Sequence, residues 1–492
     1  MKHVLSLSAA FLLSAVPLLA EPATGAGADR IATALTRYMG PGDGVVTVVP
    51  EGETYRLTLD FSAYAKLLER LTATTPDMPE ELDLSLSPLV YTLTDNGDGT
   101  WGVSDDQGLT FTGTLGGTEN LTTSFSYGQI KSLGTFDESL RAFTEYRIDF
   151  TDFTSSSQSD YGGAPSSLTD TQSIAAGQVT ATARAGERGG IDGTQSFAFR
   201  DMQQVQRVPF MPGQPPVEIR VTSAHYGGDA TYTGLRNGAL LDILAFFVAR
   251  PSVEAILADQ EVLREALKAA LPVAETLSAK VAATRTAVGT PFGTFGIDTL
   301  GFDIDMTGLV ADARLRERIE LLGVTVPESI VPPWATPLIP TDVVLDVEGA
   351  GLDLAATSAL FLDEMDMTTE NLVSPEVQVE LLSRLFPEGR PADLFLHPSR
   401  ITGAGYELAA EIAAQAGPAG PPVLTATLRL TGVETIQAAI NSAPQQVVAQ
   451  AGPMLAMATG MARRDGDALV WDIALSEDGM ASINGMAMPL PR

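Results

Sequence analysis

The sequence predicts an α+β protein: an extended, twisted, mostly antiparallel sheet with amphipathic helices packed on one face, built from divergent strand-corner-helix repeats. Three observations lead there. Alternating strands run into a small-residue corner and then into helical apolar spacing, and this recurs along the chain. Residues 82–219 read almost entirely as β, in short alternating strands, with a Pro-rich extended connector at 208–217. Residues 252–284 carry apolar side chains at helical spacing.

The repeat is clearest at 302–322, which predicts a strand and then a helix. Phe302, Ile304 and Met306 alternate with Asp303 and Asp305, then Thr307-Gly308 breaks the strand. From there Leu309, Ala313, Leu315, Ile319 and Leu322 follow helical spacing. Further copies lie at 229–247 around Gly234, at 343–360 around Gly349 and Gly351, and at 425–440 around Gly432. An earlier cousin at 54–71 has Ser62 in place of the glycine, where it can cap the helix. Glycine suits the corners because it reaches backbone angles closed to other residues.

The remaining elements follow in order. Residues 1–20 read as a signal peptide: Lys2 and His3 precede an apolar stretch, and Ala20 precedes Glu21-Pro22. Export to the periplasm with cleavage near Ala20 is expected. No transmembrane segment is expected after its removal, because the later apolar runs are short of a bilayer's width. Residues 21–30 predict a loose start, 31–38 a short helix, and 45–49 and 55–61 strands. Asp95-Asn96-Gly97-Asp98-Gly99 predicts a hairpin turn between 90–93 and 101–103. Strands follow at 109–115, 121–127, 146–153, 179–183, 197–200 and 219–226. Residues 155–173 are rich in Ser, Asp and Gly and predict a long loop or a wide hairpin end. Pro272 interrupts the pattern at 252–284, which predicts two helices. The Pro-rich stretch 327–340, around Trp334, predicts an extended cover over a sheet edge. Helices are expected at 374–386 and 445–461, and strands at 393–397, 403–414, 469–475 and 480–484. This divides the chain into a signal peptide (1–20), a β-rich N-terminal half (21–250), a helical connector (251–290) and a strand–helix C-terminal half (291–492).

Composition narrows the function. The 492 residues hold no cysteine, which removes disulfides, thiol chemistry and lipoprotein anchoring. The formal charge of −31 opposes nucleic acid and anionic headgroups, so no nucleic-acid partner is expected. Gly97 to Gly102 matches G-x-G-x-x-G, but in a hairpin, and the Asp95–Asp98 loop lacks a calcium ligand ladder. His225 beside Ser223 and His397 beside Ser399 are weak candidates for a serine–histidine pair. Asp303 with Asp305, and Asp346 with Glu348, read as solvated strand faces. The C-terminal methionines, among them Met454, Met457, Met461, Met480 and Met486, read as core filling. No catalytic, metal or cofactor site emerges, so a non-enzymatic protein without cofactor is expected. A groove for a lipid or other apolar ligand is expected between sheet and helices, lined by Leu240, Leu244, Phe247, Leu309 and Ile319. The alternative is a structural or protein-interaction component of the cell envelope.

The strand-corner-helix units and the closing pattern 464–484, RDGDALVWDIALSEDGMASIN, resemble the alphaproteobacterial family called domain of unknown function 2125. More loosely they resemble exported AsmA-like envelope proteins. The resemblance implies a long curved sheet with an apolar groove and a part in lipid handling in the envelope.

Overall fold

A computed structural model of the chain describes residues 22–40, 44–62, 81–116, 119–161, 168–209, 216–250, 252–369, 371–418 and 420–488. The expected signal peptide and the helix of the 54–71 unit lie outside the described residues.

The first described element is helix α1 (Gly25–Met39), which contains the helix expected at 31–38 and extends back into the expected loose start. Thr24 Oγ1 accepts the Gly27 N–H at 3.0 Å and caps it. The helix seats closely: a Cβ on Gly27 would lie 2.1 Å from the Tyr55 hydroxyl. Strands β1 (Val46–Glu51) and β2 (Thr54–Leu59) form a hairpin. β3 (Glu81–Leu86) and β4 (Leu89–Asp95) lie in line along one edge of β5 (Thr100–Gly116), and β4 also pairs with β2. Then come β6 (Glu119–Asp137), β7 (Ala142–Tyr161), β8 (Leu168–Ala185), β9 (Ile191–Val208) and β10 (Val217–Leu235), each antiparallel to the last. The Ser/Asp-rich segment expected as a loop is largely strand, with 155–161 and 168–173 inside β7 and β8.

After β10 come helices α2 (Asn237–Ala249), α3 (Val253–Ala258) and α4 (Gln260–Ala269). The second helix expected beyond Pro272 does not form. Residues 276–290 are strand β11 (Thr276–Thr290), with Leu277, Ala279, Val281 and Ala283 in a period of two. β12 (Gly293–Thr307) pairs with it. The helix expected from Leu309 is also absent: β13 (Ala313–Leu322) returns alongside β12. Arg314, Arg316 and Arg318 alternate with Leu315, Glu317 and Ile319, a strand pattern that the Leu/Ile spacing disguised. Gly308 lacks the left-handed φ of a corner; it is needed because a Cβ there would meet the Ala274 carbonyl at 1.6 Å.

β14 (Pro340–Leu352) turns through Gly351 (φ 86°) into α5 (Leu354–Glu364), and α6 (Pro375–Leu385) follows. β15 (Ala392–Gly403), β16 (Tyr406–Ala416) and β17 (Val423–Thr431) continue the sheet. Gly432 (φ 70°) leads into α7 (Val433–Asn441) and α8 (Gln445–Met461). β18 (Arg463–Asp465) and β20 (Ala481–Ile483) share the outer edge of β19 (Ala468–Leu475), which pairs with β17; β21 (Met486–Met488) is outermost. Strand-corner-helix units are thus present at Gly234, Gly351 and Gly432, and absent at Gly308.

Among the described residues all 21 strands belong to one sheet, and every pairing in it is antiparallel. Two buried apolar clusters lie at its ends. Ala28, Ile31 and Leu35 of α1 pack on Tyr55, Leu57 and Trp101. Val433 and Ile436 of α7, with Ala458 and Met461 of α8, pack on Leu430, Leu469 and Trp471. Helices α2, α4, α5 and α6 pack one on the next. Asp242 of α2 pairs with Arg37 (2.7 Å) and Arg141 (2.9 Å), and Lys268 with Asp363 (2.7 Å).

Candidate functional site

Following the register from strand to strand shows where apolar side chains collect. Residues directly opposite in an antiparallel pair share a face. One such line runs Ile130, Phe150, Gly177, Phe199, Tyr226, Ala283, Leu300, Leu321, Val343, Ile401, Leu408, Leu430 and Leu469. Parallel lines carry Ile148, Val179, Phe197, Val281, Phe302, Ile319 and Leu345. Leu430 and Leu469, of the cluster under α7 and α8, end this line. From β6 through β17 to β19 the line therefore crosses thirteen strands, about 60 Å at ~4.8 Å per strand.

A crease shapes the N-terminal part. Tyr127 lies against both Phe150 (5.2 Å between ring centres) and Phe153 (4.8 Å), so two side chains three apart share a face. Regular alternation forbids that unless the strand holds an extra residue, a bulge. The neighbouring strands keep register across the same level, so each must hold one too. Ile174 and Gly177, Met202 and Phe199, Ser223 and Tyr226, Thr286 and Ala283, and Ile297 and Leu300 repeat the spacing through β12. Asp152, Asp201 and Arg285 take positive φ there, on every second strand. Bulges bend strands, and the bend holds a depression of about 520 Å³ lined by Tyr91, Tyr127, Tyr146, Phe150, Phe153 and Phe199. Phe150 and Phe199 close over Gly177, where a Cβ would come within 2.2 Å of a ring. On the far side of the crease the same face turns polar: Gln204 and Gln206 both donate to Asp170 Oδ2, at 2.8 and 3.1 Å.

The five expected groove residues do not form one site. Leu240 and Leu309 line a separate cleft of about 400 Å³ among α2, α4, α5 and α6, with Ile243, Phe361 and Leu381. Leu309 stands in the β12–β13 connection and not on a helix. Leu244 and Phe247 lie on α2, 46% and 43% exposed. Ile319 alone lies on the apolar sheet face, opposite Phe302 and Leu345. The methionine expectation is met only in part: Met461 joins the terminal cluster, whereas Met454, Met457, Met480 and Met486 are exposed.

The opposite face of β13–β15 carries a charge lattice in place of the solvated acids expected. Asp346 is 2% exposed and takes both Arg316 Nε and Nη2 at 2.8 Å, with Arg318 Nη1 at 3.6 Å. Arg316 holds its carboxyl below the usual range, against the opposing effect of burial. Burial would push Glu348 up, but Arg314 and His397 outweigh it and hold Glu348 low. His397 Nε2 lies 2.7 Å from Glu348 Oε2. Ser399 does not engage the imidazole: its hydroxyl donates to the His397 backbone carbonyl (2.9 Å) and accepts the Asp346 N–H (3.0 Å). Ser223 likewise donates to the His225 carbonyl at 2.9 Å. Both serines satisfy backbone groups at bulges.

Among the described residues no cluster of three metal-ligating side chains occurs, and no helix is long and apolar enough to cross a membrane. Compared with protein-family models, curated proteins and solved structures, the chain matches none.

Proposed function

We propose that the protein binds lipids or other acyl-chain amphiphiles along the apolar face of its sheet, as an exported component of envelope maintenance. The observation that supports this is the apolar line from β6 to β19, on and beside which Leu300, Phe302, Leu315, Ile319, Leu345 and Leu394 are each more than a third exposed. Monomeric proteins rarely leave so long an apolar band without an occupant. In this reading the helices serve that one face. α1 closes one end, α7 and α8 close the other, and acyl chains lie between. The AsmA-like resemblance fits, and so does a negative chain that repels free anions while its apolar band accepts tails. The reading assigns no catalytic step.

The exposed Val379 and Leu382 of α6 and Met454 and Met457 of α8 favour a second reading, an interaction component of the envelope. One experiment separates the two. Protein made in a periplasm and purified without detergent should release a lipid on organic extraction. It should also take up a pyrene-labelled long-chain alcohol, and Ile319→Glu should abolish that uptake without loss of fold. No extractable lipid and no uptake by the wild type would end the binding reading and leave the interaction one.

A further inference from the structure

The depression at the crease contains one group that its neighbours leave unexplained. Asp105 stands on β5 in the register of Trp101, Val103 and Leu109, so an acid occupies an apolar position. It lines the depression with Tyr91, Tyr127, Tyr146 and Ser132. Gln107 Nε2 donates to its Oδ2 at 3.0 Å. Its Oδ1 is buried and accepts no hydrogen bond from any described residue. The Ser132 amide, directly across the strand pair, favours the anion. The neighbouring charge that acts on it is Asp106, of its own sign. Burial pushes the Asp105 carboxyl up, and burial together with Asp105 pushes the Tyr91 hydroxyl up to about 12. A desolvated carboxylate oxygen with no donor is costly, and aromatic rings beside a carboxylate are what an ammonium group prefers.

We propose that the depression around Asp105 seats the ammonium head of a cationic amphiphile, its charge beside the Asp105 carboxylate and the faces of Tyr91, Tyr127 and Tyr146. The alkyl tail then runs along the apolar face past Phe150 and Phe199 toward Phe302. This rests on the binding reading above and adds the head group. The field of a chain at −31 draws cations to the opening, and no Lys or Arg lines the depression to hold a phosphate.

Three probes with one tail test it: dodecylamine, dodecanol and dodecanoate, each below its micelle concentration, followed by titration calorimetry. The amine should bind the wild type about tenfold tighter than the alcohol, and the carboxylate weakest. Asp105→Asn should reduce the amine to the level of the alcohol and leave the alcohol unchanged. Asp106→Asn removes the same charge from the opposite face, where Asp106 meets Gln129 and Lys131, and should change neither. Tyr146→Leu, which keeps the carboxylate, should weaken the amine several-fold, and it serves if Asp105→Asn fails to fold. Equal binding of amine and alcohol by the wild type would overturn the proposal. So would equal losses in Asp105→Asn and Asp106→Asn, which would assign the preference to the general field. Failure of all three probes to bind would instead remove the binding reading beneath it.

Discussion

The two halves of the sheet solve the same problem differently. β6–β10 are strands of 18–20 residues, creased by bulges, and rings pack on one another across their apolar face. β12–β17 are shorter, at 9–15 residues, and their apolar face is left half-exposed. There the order is supplied from behind, by Arg314, Arg316, Arg318, Asp346, Glu348 and His397. A long sheet needs something to fix each strand against the next. Aromatic stacking does it where the apolar face is bent, and charge pairing does it where that face is left exposed.

The largest effect should separate the halves directly. Phe150 is 8% exposed inside the aromatic depression, so Phe150→Ala should cost about 3 kcal/mol in urea unfolding. Phe302, 39% exposed on the open half, should cost under about 1 kcal/mol as Phe302→Ala. Equal losses would mean that the open half is packed as tightly as the bent one.

Asp346→Asn comes next. It breaks a bidentate pair whose acid is buried and whose arginine is partly solvated, so the loss should be about 2 kcal/mol, below that of a fully buried pair. A change near zero would show that the ladder hydrogen bonds of β13–β15 hold register without the lattice.

The smallest effect is in pH, and its sign differs between the halves. Asp346 and Glu348 are held low, so their contribution is present above ordinary carboxylate values of about 4 and is lost as pH falls below them. Asp105 is pushed up, so its contribution is present in acid and is lost as pH rises through its raised value. Thermal midpoints between pH 6 and pH 3 should fall less in Asp346→Asn than in the wild type. In Asp105→Asn they should fall more. A common response would show that neither carboxyl governs its half.

Much of the sheet was legible. Alternation located nearly every strand from β4 to β10, and glycine corners located α2, α5 and α7. The failures share a cause. At 276–283 and 313–322 apolar residues fall at positions that satisfy both periods, and the deciding signal was in the polar residues between them. Arg314, Arg316 and Arg318 alternate strictly because they face Asp346 and Glu348, which lie thirty or so positions away in sequence. Strand length was underestimated because Ser and Thr runs at 155–159 and 168–173 resemble loops until partners on both sides supply their hydrogen bonds. Asp105 was missed, although an acid in the register of Trp101, Val103 and Leu109 marks itself. The crease was not legible, since a bulge shows in one strand only as a slipped alternation.

That crease constrains how the chain can change over generations. Seven adjacent strands, β6 to β12, each hold one extra residue at one level. Deleting it from β7 alone would turn one side of that strand over, sending either Phe150 or Phe153 to the charged face. Its neighbours, still holding theirs, would no longer match it. The crease can therefore be kept whole or abandoned whole, but not eroded one strand at a time. Insertions and deletions in descendants of this chain should fall in the turns, at 138–141 and 186–190, and spare 151–152, 200–201 and 284–285.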